Sequence, residues 1–240
     1  MRIDILGVAF DNVTMEEAVD RAMTMLEEEK PHFVVTPNAE IVQQANGDEE
    51  FSALIASADL VIPDGVGVIY ASKILGRPLK GRVPGCDFAM ALMEKMASNG
   101  KRLFLLGAKP GVAELAAVNL QAQYPGLVVC GTHDGYFKED GPVVDAIREA
   151  KADVVFVCLG APKQEKWSVQ NGAATGARLF VGLGGSLDVF AGQVERAPDG
   201  WQKAGMEWLY RAIKQPARFK RVAKLPLFLC SAVGARIKGK

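Results

Sequence analysis

The chain has 240 residues, 28 Lys+Arg balanced by 28 Asp+Glu, and 49% hydrophobic residues, which is material for a substantial core in one large domain or two small ones. Its four cysteines, Cys86, Cys130, Cys158 and Cys230, are far apart and form no CxxC pair, which argues against a disulfide framework and a zinc site and suits a reducing, cytosolic setting. The opening MRIDILGVAFDNVT has too short an apolar stretch for a signal peptide, and no window approaches the ~20 apolar residues that span a bilayer.

In chain order, the apolar run at 3–8 (IDILGV) reads as a strand, and Thr14 with Glu17 forms a capping box ahead of the helix MEEAVDRAMTMLEEE. Further strands are predicted at 32–36, 60–62, 102–106, 127–130, 153–159 and 178–183. Most of these runs are continuous rather than alternating, as expected of strands covered on both faces. Between them, Asp87 opens the helix FAMALMEKMASNG, and GVAELAAVNLQAQYPG ends on a Pro-Gly stop. The alternation predicts a Rossmann-like α/β fold with a mostly parallel sheet flanked by helices. Around Arg196 to Gly200 the pattern changes to the helical, basic and aromatic WQKAGMEWLYRAIKQPARFKRVAKLPLFL. The expected organisation is therefore an α/β domain over 1–196 and a helical basic appendage over 197–240, with Pro216 breaking or restarting the helix.

The balanced charge hides an asymmetry. Residues 201–240 hold ten Lys/Arg and one acid, Glu207, for a net of +9, which leaves 18 bases and 27 acids, a net of −9, in residues 1–200. Such a tail is expected to meet something anionic, be it a lipid surface, nucleic acid or a phosphorylated substrate. Trp201, Trp208, Tyr210, Phe219 and LPLFL accompany the cations, and a basic-aromatic amphipathic segment lies well at a lipid interface. Each base near an anionic leaflet contributes about 1 kcal/mol before screening. LPLFLCSAV is too short to span a bilayer.

In open α/β sheets ligands bind beyond the carboxyl ends of the strands. The loops there are TPNAE, PDGVG, GAKPG, GAPKQE and GGSLD. Glycines such as Gly107, Gly160 and Gly184 allow backbone to approach a ligand, and helices that start nearby aim free N–H groups at phosphate. No GxGxxG follows the first strand and no GxxxxGK[ST] exists, which argues against a nicotinamide enzyme and a P-loop. There is also no DxD pair of the kind that holds a divalent metal on a sugar-nucleotide diphosphate. Asp64 has two readings: a turn aspartate capping the helix that begins near Val66, or a rim carboxylate, partly desolvated, that takes a proton from an attacking hydroxyl. His32 and His133 are isolated and read as structural, and Asp188 is a competing carboxylate better suited to capping or packing.

TPNAE, PDGVGV, GRVPGCD, LFLLGAKPGV, CLGAPKQE, GLGGSLDVFAGQVERAP and EWLYRAIKQPARFKR, in this order and nearly end to end, resemble the WecG/TagA/CpsF family of bacterial glycosyltransferases. The resemblance implies transfer of N-acetylmannosamine or a related sugar from a UDP-sugar donor to undecaprenyl-diphosphate-linked N-acetylglucosamine, with inversion, in wall teichoic acid-like polymer synthesis. It places the proposed base on Asp64, the T-x-N pair on Thr36 and Asn38, the arginine before V-P-G on Arg82, and the glutamine of P-K-Q-E on Gln164. It also implies a basic appendage that covers the site at the membrane, with arginines at Arg211, Arg218 and Arg221.

Single displacement needs a base at the acceptor and cations at the departing UDP. Guanidinium suits the diphosphate because its fork binds phosphate oxygens bidentately. Arg82 is the candidate inside the domain, while Arg218 and Arg221, three apart, share a helix face. No metal or other cofactor and no nucleic acid is expected, the protein is placed on the inner face of the cell membrane, and oligomeric state is open, a homo-oligomer included. The rival readings are a nicotinamide-dependent sugar-nucleotide epimerase or dehydrogenase and a basic-tailed nucleic-acid-binding module. Gln164 as a water-facing helix side chain, Arg82 as a surface loop residue and Thr36 as a plain strand residue are the structural alternatives.

Overall fold

The structure, a computed structural model, describes residues 1–198, 200, 201, 206, 209, 210, 213 and 224–238. The N-terminal apolar run is not one strand but a hairpin of β1 (Arg2–Ile5) and β2 (Val8–Asp11). Leu6 and Gly7 turn the chain at positive φ of 52° and 90°, and Ile5 faces Val8, the pattern of a two-residue hairpin loop. Asp11 fastens this hairpin to the main sheet. Its carboxylate is buried, takes hydrogen bonds from Arg2 Nε at 3.1 Å and Arg21 Nη1 at 3.1 Å, and accepts the Val61 N–H at 3.0 Å.

The main sheet has six strands, β3 (His32–Val35), β4 (Leu60–Val61), β5 (Arg102–Gly107), β6 (Val128–His133), β7 (Val154–Cys158) and β8 (Leu179–Gly182). They lie in the order β4-β3-β8-β7-β5-β6, with every pairing parallel. The six strands predicted after the first run all appear, and the fold is the Rossmann-like α/β class expected. Alternate residues feed opposite faces. Val154 and Phe156 of β7 join the cluster with Val34, Leu105 and Val181, whereas Val155 and Val157 join the one with Leu106 and Phe180.

On the first face pack α1 (Met15–Met25), α5 (Gly85–Asn99), α6 (Val112–Gln123) and the short α9 (Ser186–Phe190). On the second pack α2 (Ala39–Asn46), α3 (Glu49–Ser57), α4 (Val66–Ile74), α7 (Asp140–Glu149) and α8 (Lys163–Thr175). The capping box forms as read: Thr14 Oγ1 accepts the Glu17 N–H at 3.2 Å and Glu17 Oε2 accepts the Thr14 N–H at 2.9 Å. The helix expected to open at Asp87 begins two residues earlier, after Pro84, and Asp87 sits in its first turn.

Beyond the expected boundary at 197, α10 (Lys224–Ile237) packs on α2 and α4. Phe228 and Ala232, four apart on one face, are buried with Val68, Ala71 and Leu75. Gly67 lacks the side chain that would collide with Leu225, and Arg236 Nη1 donates to Leu75 O at 3.2 Å at the end of α4. LPLFL, read from sequence as lipid-directed, thus places Phe228 inside the protein and leaves Leu227 outward. Pro216, Trp208, Phe219, Arg211, Arg218 and Arg221 lie outside the described residues. Among the described residues no helix is long and apolar enough to cross a membrane.

Candidate active site

The central strands β3 and β8 are tied at their carboxyl ends. Thr36, one residue beyond β3, is buried and donates from Oγ1 to Gly182 O at 2.9 Å. In the sheet β3 and β8 lie between β4 and β7, all parallel, so the loops that follow β3, β4, β7 and β8 gather at one edge, the carboxyl-end crevice where such sheets bind ligands.

Asp64 stands at the rim of that crevice, half-buried. Its backbone N–H reaches Pro37 O at 3.4 Å, and the Val83 N–H reaches Pro63 O at 2.9 Å, so the loops after β3 and β4 and the 81–84 segment lie side by side. Its carboxylate does not cap α4, whose N-terminus has no side-chain cap. Instead Oδ1 accepts the Gly85 N–H at 3.0 Å, in the first turn of α5. A backbone donor and the positive end of a helix both stabilise the carboxylate anion, the form a general base requires. Gly85 also touches Thr36: a Cβ at Gly85 would sit 3.1 Å from Thr36 Cγ2. Thr36 and Asp64 therefore share Gly85 as a neighbour, and a side chain there would press on Thr36.

Asn38 is placed beside them, because a Cβ at Gly65 would lie 3.0 Å from Asn38 Cβ. Its Oδ1 is the N-cap of α2, accepting the Glu40 N–H at 2.9 Å and the Ile41 N–H at 3.1 Å, so any substrate bond from this amide is donated by its nitrogen. Arg82 is half-buried in the segment that Val83 pins to Pro63, three residues before Gly85.

Gln164, in the first turn of α8, is 2% exposed rather than water-facing. Its Oε1 accepts the Gly184 N–H at 3.0 Å and its Nε2 donates to Glu165 Oε1 at 2.8 Å. It thus joins the loop after β7 to the loop after β8. Gly160 and Gly184 hold positive φ of 76° and 54°, and a Cβ at either would meet no atom within 4 Å, which keeps the space beside both turns open. Gly107 differs: a Cβ there would overlap the Cys158 carbonyl, so glycine is required by packing on β7. Lys163 bridges the neighbouring loops, donating to Gly135 O at 3.0 Å with its ammonium 4.5 Å from the Phe137 ring centre.

The remaining sequence candidates fall elsewhere. His32 is buried at the amino end of β3, 3.3 Å from Glu28 and 3.2 Å from Asp59, away from the crevice. His133 Nδ1 lies 2.8 Å from Asp134 O, and Asp188 sits in the first turn of α9. Among the described residues no group of three His, Cys, Asp or Glu is arranged as metal ligands.

Glu165 was not singled out from the sequence. It is 5% exposed, and burial pushes its carboxyl up from the ordinary glutamate range, with the Gln164 hydrogen bond acting the other way. The available signal was the inward face of α8, where Gln164, Ser168, Gly172 and Thr175 recur at helical spacing and all are buried.

The fold and the crevice define an α/β enzyme whose polar groups converge beyond the carboxyl ends of a parallel sheet. The profile of the glycosyl transferase WecG/TagA/CpsF family matches residues 3–240, and the chain belongs to this family: it is a glycosyltransferase. Among its relatives is the N-acetylglucosaminyldiphosphoundecaprenol N-acetyl-beta-D-mannosaminyltransferase of Staphylococcus aureus strain MW2, 37% identical over 241 residues, covering 100% of this chain and 95% of that one. The protein of the same name from Bacillus spizizenii is 37% identical over 210 residues, covering 88% of this chain and 82% of that one. Neither the nicotinamide enzyme nor the nucleic-acid-binding module finds support in these relatives.

Proposed function

We propose that the chain transfers N-acetylmannosamine from its UDP form to undecaprenyl-diphosphate-linked N-acetylglucosamine, with inversion, in building a cell-surface polymer of the wall teichoic acid type. The relatives that cover 100% and 88% of the chain are named as N-acetylmannosaminyltransferases acting on N-acetylglucosaminyldiphosphoundecaprenol, which supports this donor sugar and acceptor. The observation that carries the mechanism is the Asp64 carboxylate accepting the Gly85 N–H at the start of α5, with Thr36, Asn38 and Gln164 on the neighbouring loops at the carboxyl ends of the strands. Asp64 takes the proton of the acceptor hydroxyl as that oxygen attacks the anomeric carbon, and the bond to UDP breaks on the opposite face. Arg82, three residues before the Gly85 that donates to Asp64, steadies the departing diphosphate, with no divalent metal required. Arg211, Arg218 and Arg221 supply further charge from the tail, which also holds the enzyme at the anionic inner face of the cell membrane.

A radiolabelled UDP-sugar transfer assay on a short-chain prenyl-diphosphate acceptor tests this. Asp64→Asn is expected to lower kcat by roughly 10² to 10⁴, the usual worth of a positioned base, while UDP-sugar binding by calorimetry is kept and chelator has no effect. Unchanged turnover in this variant removes Asp64 from the chemistry.

A further inference from the structure

We propose that Glu165 is a positioning residue for transfer: it fixes which way the Gln164 amide faces and, through that amide, the loop that follows β8. This rests on the reading of the crevice as the place of sugar transfer.

A glutamine amide has nearly the same shape when its oxygen and nitrogen are exchanged, so its partners decide its orientation. Both partners of Gln164 are one-sided. The Gly184 N–H can only donate, and it meets Oε1 at 3.0 Å; Glu165 Oε1 accepts, and it meets Nε2 at 2.8 Å. A flipped amide would set nitrogen against N–H and oxygen against oxygen. With the acceptor at Glu165 in place, the amide has one orientation and Gly184 is held.

That hold matters because the loop is fastened at its other end as well. Thr36 Oγ1 donates to Gly182 O, and Thr36 packs on Gly85, whose N–H holds Asp64. The Gln164 amide also fills the space over Gly182, where a Cβ would lie 2.8 Å from Nε2. A continuous set of contacts therefore runs from Glu165 through the β8 loop to the base.

Glu165 is an expensive residue for its position. Its Oε2 is buried with no hydrogen-bond partner among the described residues, and it borders a small cavity walled by Phe33, Leu54, Val169 and Phe180. An apolar side chain would fill that space at lower cost, since a buried polar atom without a partner is destabilising. Local costs of this kind concentrate where function needs a group in place.

The test uses the full chain and two variants. Glu165→Gln retains an Oε1 acceptor in the same shape and is expected to keep kcat within about threefold of the parent. Glu165→Met removes the acceptor and is expected to lower kcat about 10²-fold, the cost of a misplaced crevice group, with the donor KM moved by less than about threefold and the melting temperature not reduced. In parallel, the Gln164 side-chain amide is followed by ¹H–¹⁵N NMR in all three proteins. Slow amide exchange in the parent and the Gln variant, lost in the Met variant, is the expected pattern. Parent-like kcat in Glu165→Met, equal losses in both variants, or an equally protected amide in Glu165→Met overturns the proposal. The NMR arm decides the matter even if no transfer is detected with this donor, which would count against the proposed function alone.

Discussion

Asp64 obtains its setting from Gly85, 21 residues further on. The position of PDG after an apolar run marks a carboxylate at a strand end, but which helix it meets depends on how α5 returns to the sheet. Glu165 shows the same limit from the other side, since QE after a proline reads equally as a solvated helix start. Its burial has a consequence for pH. The native state holds this proton to higher pH than the unfolded chain, whose glutamates titrate near about 4.3. Across the window between that value and the raised native one, folding takes up a proton, so stability falls as pH rises through it. Glu165→Gln removes this loss. Thermal melts are expected to show the variant more stable than the parent near about pH 7, with the gap closing toward about pH 4; a gap independent of pH would show that no buried charge is at stake.

Helices and strands follow their local signals closely where those signals are local in cause. Thr14 and Glu17 satisfy each other's backbone donors within one turn, so their pattern suffices to place the start of α1. Thr14→Ala is expected to cost about 1 kcal/mol in urea denaturation, and a change below a few tenths would mean the cap is replaced by solvent. IDILGV misleads for a related reason. Its apolar residues run on across the turn at Leu6-Gly7, which lacks the Asn-Gly or Asp-Gly signature of a tight hairpin. The register is set by Ile5, Val8 and Phe10, all buried in one cluster.

Across the molecule, packing adds most to the reading of the C-terminal segment. Charge and aromatic content suggest a helical basic appendage, and its described helix α10 packs on the core beside α4 with Phe228 and Ala232. Pro226 is tolerated because it falls in the first turn, where its missing N–H costs nothing. Phe228→Ala is expected to destabilise the protein by about 3 to 5 kcal/mol, read from the midpoint of a denaturant titration, and a loss under about 1 kcal/mol would show that α10 is loosely docked. Truncation at residue 201 therefore removes core packing together with the basic residues, so charge-reversal of single tail arginines is the cleaner probe of membrane attachment.

The order of strands and helices, the identity of the glycine-bearing loops and the family could be read along the chain, because buried strands are continuously apolar and caps act within a turn. Pairings across the chain could not. Asp64 with Gly85, Thr36 with Gly182, Gln164 with Gly184 and Phe228 with the α4 cluster join residues 20 or more positions apart, and packing alone brings them together. Hydrophobic pattern states which side chains must leave water; it does not state which of them will meet.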